Sequence, residues 1–197
     1  MRLARKTGEK YSSIIEAAVK VFAENGYHNA QVSKIAREAG VADGTIYLYF
    51  RNKEDILISV FRVKMNNFIA RVRRELDSCV SAPAKLEHLI RMHFSILGAD
   101  RNLALFVQIQ LRQSQQSVRQ AIAEPLREYY RLIEDLLKEG IEAGAFRPDI
   151  DVRTARKMIF GTMDEVATCW VMSRRDYRLA DQVEQVYRLL SQGIAAR

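Results

Sequence analysis

Thr45, Tyr47 and Tyr49 place three hydroxyls on one short segment, with Lys53 following shortly after. Hydroxyls so spaced can donate to phosphates and base edges, and the lysine can reach a phosphate. A second group of cations, Arg112, Arg119, Arg127 and Arg131, lies on or beside the middle of the chain and could meet another polyanion. Each of these four, taken singly, is more simply read as part of a solvated helix face, and Arg112 could instead pair with Asp164. Catalytic chemistry has little to stand on. His88 and His93 are five apart and do not share a helix face, as metal ligands would. Cys79 and Cys169 match no zinc or redox spacing and read as reduced thiols. Asp164 and Glu165 are adjacent and point different ways. No glycine-rich phosphate loop or nucleophile motif is present. The sequence therefore reads as a binding protein, with no enzyme activity, metal or cofactor expected.

The elements that must position these residues read as helices. Nine Gly and three Pro in 197 residues leave long stretches without punctuation, and apolar residues recur at helical spacing throughout. The spacing predicts helices over about 9–25, 32–39, 43–49, 53–78, 84–97, 102–113, 117–143, 152–172 and 179–195. Gly26 and Gly40 are stops, Asn52 and Asp151 are caps, and Pro125 kinks or divides the seventh helix. The fold class is all-α, with about nine helices in two units. Residues 1–52 form a small helix-turn-helix domain, and 53–197 form a larger helical bundle for ligand binding and dimerisation. The composition is 48% hydrophobic and 28% charged, as in a globular domain, and no stretch approaches the roughly 18 apolar residues of a membrane span. With no apolar leader after the basic start, a cytoplasmic location is expected. The formal charge is +7, and residues 1–53 hold nine basic and five acidic groups, so +4 falls in the first quarter. That excess suits a polyanionic partner for the N-terminal unit, its basic arm (Arg2, Arg5, Lys6) included.

The segment from Val32 to Phe50 carries the sharpest spacing. Two short helices joined by a tight turn need a small residue on the first, which Ala36 supplies. They need a residue tolerant of left-handed dihedrals in the turn, which Gly40 supplies, and apolar pins, which Ile35, Val41, Ile46 and Phe50 supply. This is helix-turn-helix spacing, in which the second helix enters the DNA major groove. An ordinary helical hairpin would leave Thr45, Tyr47, Leu48 and Tyr49 poorly explained. Glu24-Asn-Gly-Tyr27, Val32-Ser-Lys-Ile-Ala36, Ala39-Gly-Val41, Gly44-Thr-Ile-Tyr-Leu-Tyr-Phe50 and Asn52-Lys-Glu54 together resemble the N-terminal signature of the tetracycline-repressor (TetR) family. The resemblance implies three N-terminal helices for DNA, a connecting fourth helix and a ligand-binding, dimerising C-terminal bundle. By position it implies that Gln31, Val32 and Ser33 approach the DNA backbone and that Gly44 and Thr45 lie close to DNA. It implies phosphate contacts from Tyr47, Tyr49 and Lys53, and a thymine-methyl contact from Leu48. Ala42 and Asp43 depart from the pattern, since the family commonly has Ser or Thr and then Lys there. Asp43 would repel phosphate unless it caps the third helix, the favoured reading, or accepts from a cytosine amino group.

Beyond the head, Ile109-Gln-Leu-Arg-Gln-Ser114 and Ile159-Phe-Gly-Thr-Met-Asp-Glu165 leading to Trp170-Val-Met172 resemble the FadR-type branch of the TetR family. That branch represses fatty-acid degradation genes and is released by long-chain fatty acyl-CoA. The resemblance implies a homodimer on palindromic operator DNA, with Met158, Val166, Trp170, Val186 and Leu190 at the dimer interface. It implies an acyl-CoA pocket among Phe94, Leu97, Phe106, Gln108, Ile109, Arg112, Tyr130, Ile133, Phe160 and Met163, with Arg112 the first candidate for the coenzyme phosphates. Most of these residues would be core whatever the ligand. A multidrug sensor controlling an efflux gene, with aromatic faces and Asp164 for a cationic drug, is the rival within the same fold. A ligand-binding protein whose head docks another protein is the rival outside it.

Overall fold

The computed structural model describes residues 2–112 and 115–196, with side chains from Gly8 onward. Gln113 and Ser114 of the branch-like stretch, and the side chains of Arg2, Arg5 and Lys6 in the basic arm, lie outside the described residues. The helices are α1 (Arg2–Asn29), α2 (Val32–Glu38), α3 (Asp43–Ile46), α4 (Lys53–Leu76), α5 (Ala82–Ala99), α6 (Arg101–Leu111), α7 (Gln116–Glu142), α8 (Val152–Met172) and α9 (Val183–Ile194). A short 3-10 helix, Leu179–Gln182, precedes α9, so the last expected helix begins as a tighter turn. Among the described residues, β-structure is limited to one isolated bridge, between Phe146 and Ala195. No described helix is long and apolar enough to cross a membrane.

The head forms as its spacing requires. Gly26 takes φ 69°, ψ 161° and breaks the helical path of α1 near the expected stop. Gly40 takes φ 67°, and Val41 N–H donates to the Ala36 carbonyl at 3.0 Å while Gly40 N–H donates to that of Arg37 at 3.1 Å. That pairing closes α2 in a Schellman turn, which needs the left-handed residue only glycine adopts freely. Ile35, Ala36, Ile46 and Phe50 are buried as pins, and Val41 is half-buried. The favoured reading of Asp43 does not hold. Ala42 occupies the cap position of α3, and Asp43 is the first helical residue, exposed to solvent. Its carboxylate there still complements the helix dipole, but as a first-turn charge and not as a cap.

Asn52 caps α4 as expected, its side chain accepting from Asp55 N–H at 2.8 Å. The apolar face of α4 (Ile56, Leu57, Val60, Phe61, Met65, Ile69, Val72 and Leu76) is buried, and the helix packs on α1, α5 and α7. Helix α7 continues through Pro125, so the proline does not divide it, the second of the two effects expected there. The proline is buried within a long apolar face (Ile122, Tyr129, Leu132, Ile133, Leu136) packed on α4, α5 and α8. Burial along that whole face outweighs the roughly 3 kcal/mol that an interior proline costs. At its far end α7 stops at Gly144, with φ 70°. One turn earlier, a β-carbon at Gly140 would overlap the ring of Phe146, which folds back over it.

Candidate DNA interface and ligand cavity

The surface of the helix-turn-helix carries the expected side chains in an accessible position. Tyr47 is 58% and Leu48 81% exposed, unusual for large apolar residues and conspicuous on so short a segment. Gln31 and Gly44 are exposed, and Val32, Ser33, Thr45 and Tyr49 are half-buried. Tyr49 is steadied by its ring against Tyr11, centroids 6.1 Å apart. Lys53 has a second occupation that spacing did not show. Its Nζ donates to the carbonyls of His28 and Ala30 at 3.0 and 3.1 Å and lies 4.7 Å from the centre of the Tyr27 ring. The first turn of α4 is thereby fastened to the end of α1.

A cavity of about 60 Å³ lies inside the bundle. Its walls come from five helices. Lys64, Met65 and Phe68 of α4 face His93, Ile96 and Leu97 of α5, with Leu103, Val107, Gln108 and Leu111 of α6, Leu126 and Tyr129 of α7, and Phe160 and Asp164 of α8 completing it. Of the residues expected at the ligand, Leu97, Gln108 and Phe160 line this space. Arg112 is joined to it through Gln108 and Asp164. Tyr130 packs edge-on to Phe160, with ring centroids 5.0 Å apart, and the Arg156 guanidinium lies over its ring, 4.3 Å from the centroid. Phe94, Ile133 and Met163 are fully buried core outside the lining, and Ile109 is half-buried. Phe106 instead stacks on Phe22 of α1, centroids 6.1 Å apart, where it glues the head to the bundle.

The polar rim is a network. Arg112 donates through Nη1 to Gln108 Oε1 at 2.8 Å and to the Gln108 carbonyl at 3.1 Å. Through Nη2 it donates to Asp164 Oδ2 and Thr168 Oγ1, each at 3.0 Å. The Thr168 hydroxyl lies 2.8 Å from both Gln108 Oε1 and the Asp164 carbonyl. Burial pushes the Asp164 carboxyl above its ordinary range, and the Arg112 charge opposes that push. The pairing of Arg112 with Asp164 is thus realised, with Arg112 half-exposed at the rim. Arg119, Arg127 and Arg131 lie exposed on α7. Lys64, which the spacing did not single out, is the cation in the lining, and both oxygens of Glu16 on α1 hold its Nζ at 2.6 Å.

Deeper in, His93 and Tyr129 stack at 6.0 Å with an interplanar angle of 12°, and His93 Nδ1 lies 3.1 Å from the Tyr129 hydroxyl. Both are buried. Desolvation lowers the imidazole pKa to about 4 and raises that of the phenol, so both are neutral near pH 7. A single histidine among apolar positions reads in sequence as a core residue, and only the fold shows that it lines a cavity.

Of the residues expected at a dimer interface, Met158 is 62% exposed and Val166 and Leu190 are half-buried, with Leu189 beside them 62% exposed. Trp170 and Val186 belong to the chain's own core. The Trp170 indole N–H donates to the Tyr177 carbonyl at 2.9 Å, with the Arg101 guanidinium 5.4 Å from its ring centre. They were expected at the interface because helical spacing cannot separate an inward from an outward apolar stripe.

Comparison with known proteins agrees with both halves of this geometry. Residues 14–60 match the family described as bacterial regulatory proteins, tetR family, and residues 61–193 match the YsiA-like protein C-terminal region. The chain is 52% identical over 185 residues to the fatty acid metabolism regulator protein of Bacillus subtilis (strain 168), covering 94% of this chain and 95% of that one. The transcriptional regulator FadR from Bacillus subtilis, solved in complex with stearoyl-CoA, superposes with a TM-score of 0.90 at 52% identity, covering 93% of this chain and 99% of that one. The fatty acid degradation regulator FadR from Bacillus halodurans superposes with a TM-score of 0.90 at 51% identity, covering 93% and 98%.

Proposed function

The chain belongs to the tetR family of bacterial regulatory proteins, and from that premise we propose that it is a cytoplasmic, dimeric repressor of fatty-acid degradation genes, released from its operator by long-chain fatty acyl-CoA. The observation that carries this reading is the double attachment of α4. Its first turn is clamped to the head by Lys53, and its middle lines the cavity with Lys64, Met65 and Phe68. Whatever fills the cavity acts on the helix that holds the head. A space of about 60 Å³ is far smaller than the pockets of several hundred Å³ that hold large ligands. An acyl ligand would therefore part the helices around it, α4 among them. Full derepression, from 99:1 to 1:99, needs a ligand that prefers the parted form by about 5.5 kcal/mol.

In this reading Gln31, Val32, Ser33, Gly44, Thr45, Tyr47, Leu48 and Tyr49 meet DNA, and Lys53 adds its remaining N–H to a phosphate. Two heads in a twofold dimer read half-sites roughly 34–36 Å apart. Arg112, half-exposed at the rim, can exchange Asp164 for a coenzyme phosphate. A cationic drug would have to compete with Arg112 for Asp164, whereas a coenzyme phosphate would take Arg112 as its own partner, which favours the acyl-CoA reading. The test is operator binding by fluorescence anisotropy, with stearoyl-CoA and with stearate. Stearoyl-CoA should release the DNA, and stearate should do so weakly. Release by neither, or release by a hydrophobic cation instead, overturns the reading.

A further inference from the structure

We propose that His93 is the polar anchor of the cavity: its Nε2 hydrogen-bonds a neutral oxygen of the ligand, so the pocket selects acyl groups that present such an oxygen at that depth. The inference rests on the acyl-CoA reading and adds to it the atom that the interior recognises. His93 is 9% exposed, and its Nε2 has no hydrogen-bond partner among the described residues. Nδ1 is committed to Tyr129, so Nε2 is the nitrogen left for whatever occupies the space. The apolar part of the wall (Met65, Phe68, Ile96, Leu97, Leu126, Phe160) offers it nothing, and the polar lining residues Lys64, Gln108 and Asp164 make no hydrogen bond to it, although Asp164 Oδ1 is itself buried without a partner. A plain alkyl chain would leave that nitrogen buried and unmet, which is the costly way to bury a polar atom.

The pairing with Tyr129 gives the anchor two neutral settings. If the Tyr129 O–H donates to Nδ1, the proton of the imidazole sits on Nε2, which can then donate to a carbonyl. If Nδ1–H donates to the Tyr129 oxygen, Nε2 is a bare acceptor and suits a ligand hydroxyl. Neither setting supplies a charge, because burial keeps the imidazole neutral near pH 7. The site therefore fits a thioester carbonyl, or a hydroxyl or keto oxygen along the chain, and not the carboxylate of a free fatty acid. The nearby cations do not change this. Lys64 pairs with Glu16 on α1 and Arg112 lies half-exposed at the rim, and neither reaches His93 Nε2.

Isothermal titration calorimetry on the full chain tests the proposal with three ligands: hexadecanoyl-CoA, its thioether analogue S-hexadecyl-CoA, and a hydroxyhexadecanoyl-CoA. The wild type should favour a ligand with the recognised oxygen about tenfold over its counterpart lacking it, the scale of one buried hydrogen bond. A preference for thioester over thioether assigns the carbonyl, and a preference for the hydroxylated chain assigns a chain oxygen. His93→Leu should bring that ratio close to one, while His93→Gln, which keeps a donor and an acceptor, should retain most of it. Tyr129→Phe preserves the ring packing, frees Nδ1 and should lower the ratio several-fold, so the outcome does not hang on one variant folding. Equal ratios in wild type and His93→Leu, in both comparisons, overturn the proposal while leaving the acyl-CoA reading intact. Failure of the wild type to bind any of the three overturns both.

Discussion

At the scale of single residues, the clearest functional marker is an apolar side chain where solvent should be. Tyr47 touches little of the fold, so its hydroxyl can be removed without cost to stability. Tyr47→Phe should weaken operator binding about fivefold, as for one lost hydrogen bond to phosphate, and leave the unfolding free energy within about 0.5 kcal/mol. Anisotropy titration and urea denaturation together check this, and unchanged affinity would remove Tyr47 from the interface. Lys53 would be the poorer probe, since it also ties α4 to the carbonyls of His28 and Ala30. That tie joins residues far apart in sequence, which is why spacing revealed Lys53 as a cation near DNA but not as a clamp. His93 makes the opposite kind of marker, and its folded pKa of about 4 lies below the ordinary 6.5. Between those values the unfolded chain binds the extra proton, so stability falls as pH drops from 6.5 and the loss is complete near 4. The total is about 3 kcal/mol for a shift of this size. His93→Gln should flatten that part of the pH–stability curve by denaturant melts. A slope equal to the wild type's would mean that His93 is not buried neutral in solution.

At the scale of elements, helix identity was legible and helix meeting places were not. The stops at Gly26 and Gly40 and the cap at Asn52 are local, and so they stand in the sequence. The persistence of α7 through Pro125 depends on burial against three other helices, which no local rule contains. The cavity is less local still, because five helices must converge before Leu97, Gln108 and Phe160 share a wall while Phe106 turns away to Phe22. The same convergence sets Lys64 of α4 between the cavity and Glu16 of α1. That pair is a direct link from pocket wall to DNA-binding head, and parting the helices around a ligand must alter it. Its contribution to folding is small, under about 1 kcal/mol for a pair with Glu16 largely in solvent. Its contribution to coupling can be comparable, and coupling is where it should be read. Glu16→Gln should reduce the factor by which acyl-CoA weakens operator binding about fivefold, with the thermal midpoint nearly unmoved. An unchanged factor would place the transmission elsewhere, in the Phe106–Phe22 contact or the Lys53 clamp.

At the scale of the whole molecule, charge and oligomeric state combine. More than half of the +7 sits in the head, where each copy faces a polyanion, and a twofold pair doubles both the charge and the number of half-sites read. In the proposed dimer, pairing would therefore raise operator affinity without adding a DNA contact of its own. Met158 of α8 and Leu189 of α9, each 62% exposed, flank one groove whose wall includes Ala155, Ile159, Leu190 and Ile194. An apolar surface of this kind, on the two helices that the family resemblance assigns to the interface, is the face that a second copy would cover. Twofold symmetry makes one substitution act twice. Leu189→Glu would bury a carboxylate in each copy's groove, where the lining cation Arg147 is already paired with Asp149, costing about 3 kcal/mol or more, so the dimer should dissociate at least about a hundredfold more readily. Val80 is more exposed still, at 98%, but lies in the turn between α4 and α5, so Val80→Glu serves as the control with the dimer retained. Sedimentation velocity should show Leu189→Glu as monomer at concentrations where wild type and Val80→Glu are dimeric. Operator affinity should fall with it, while each monomer keeps weak half-site binding and the helical circular dichroism of the wild type. A Leu189→Glu protein that remains dimeric would move the interface off this groove, and the spacing of the two heads would then have to be set by another face of α8.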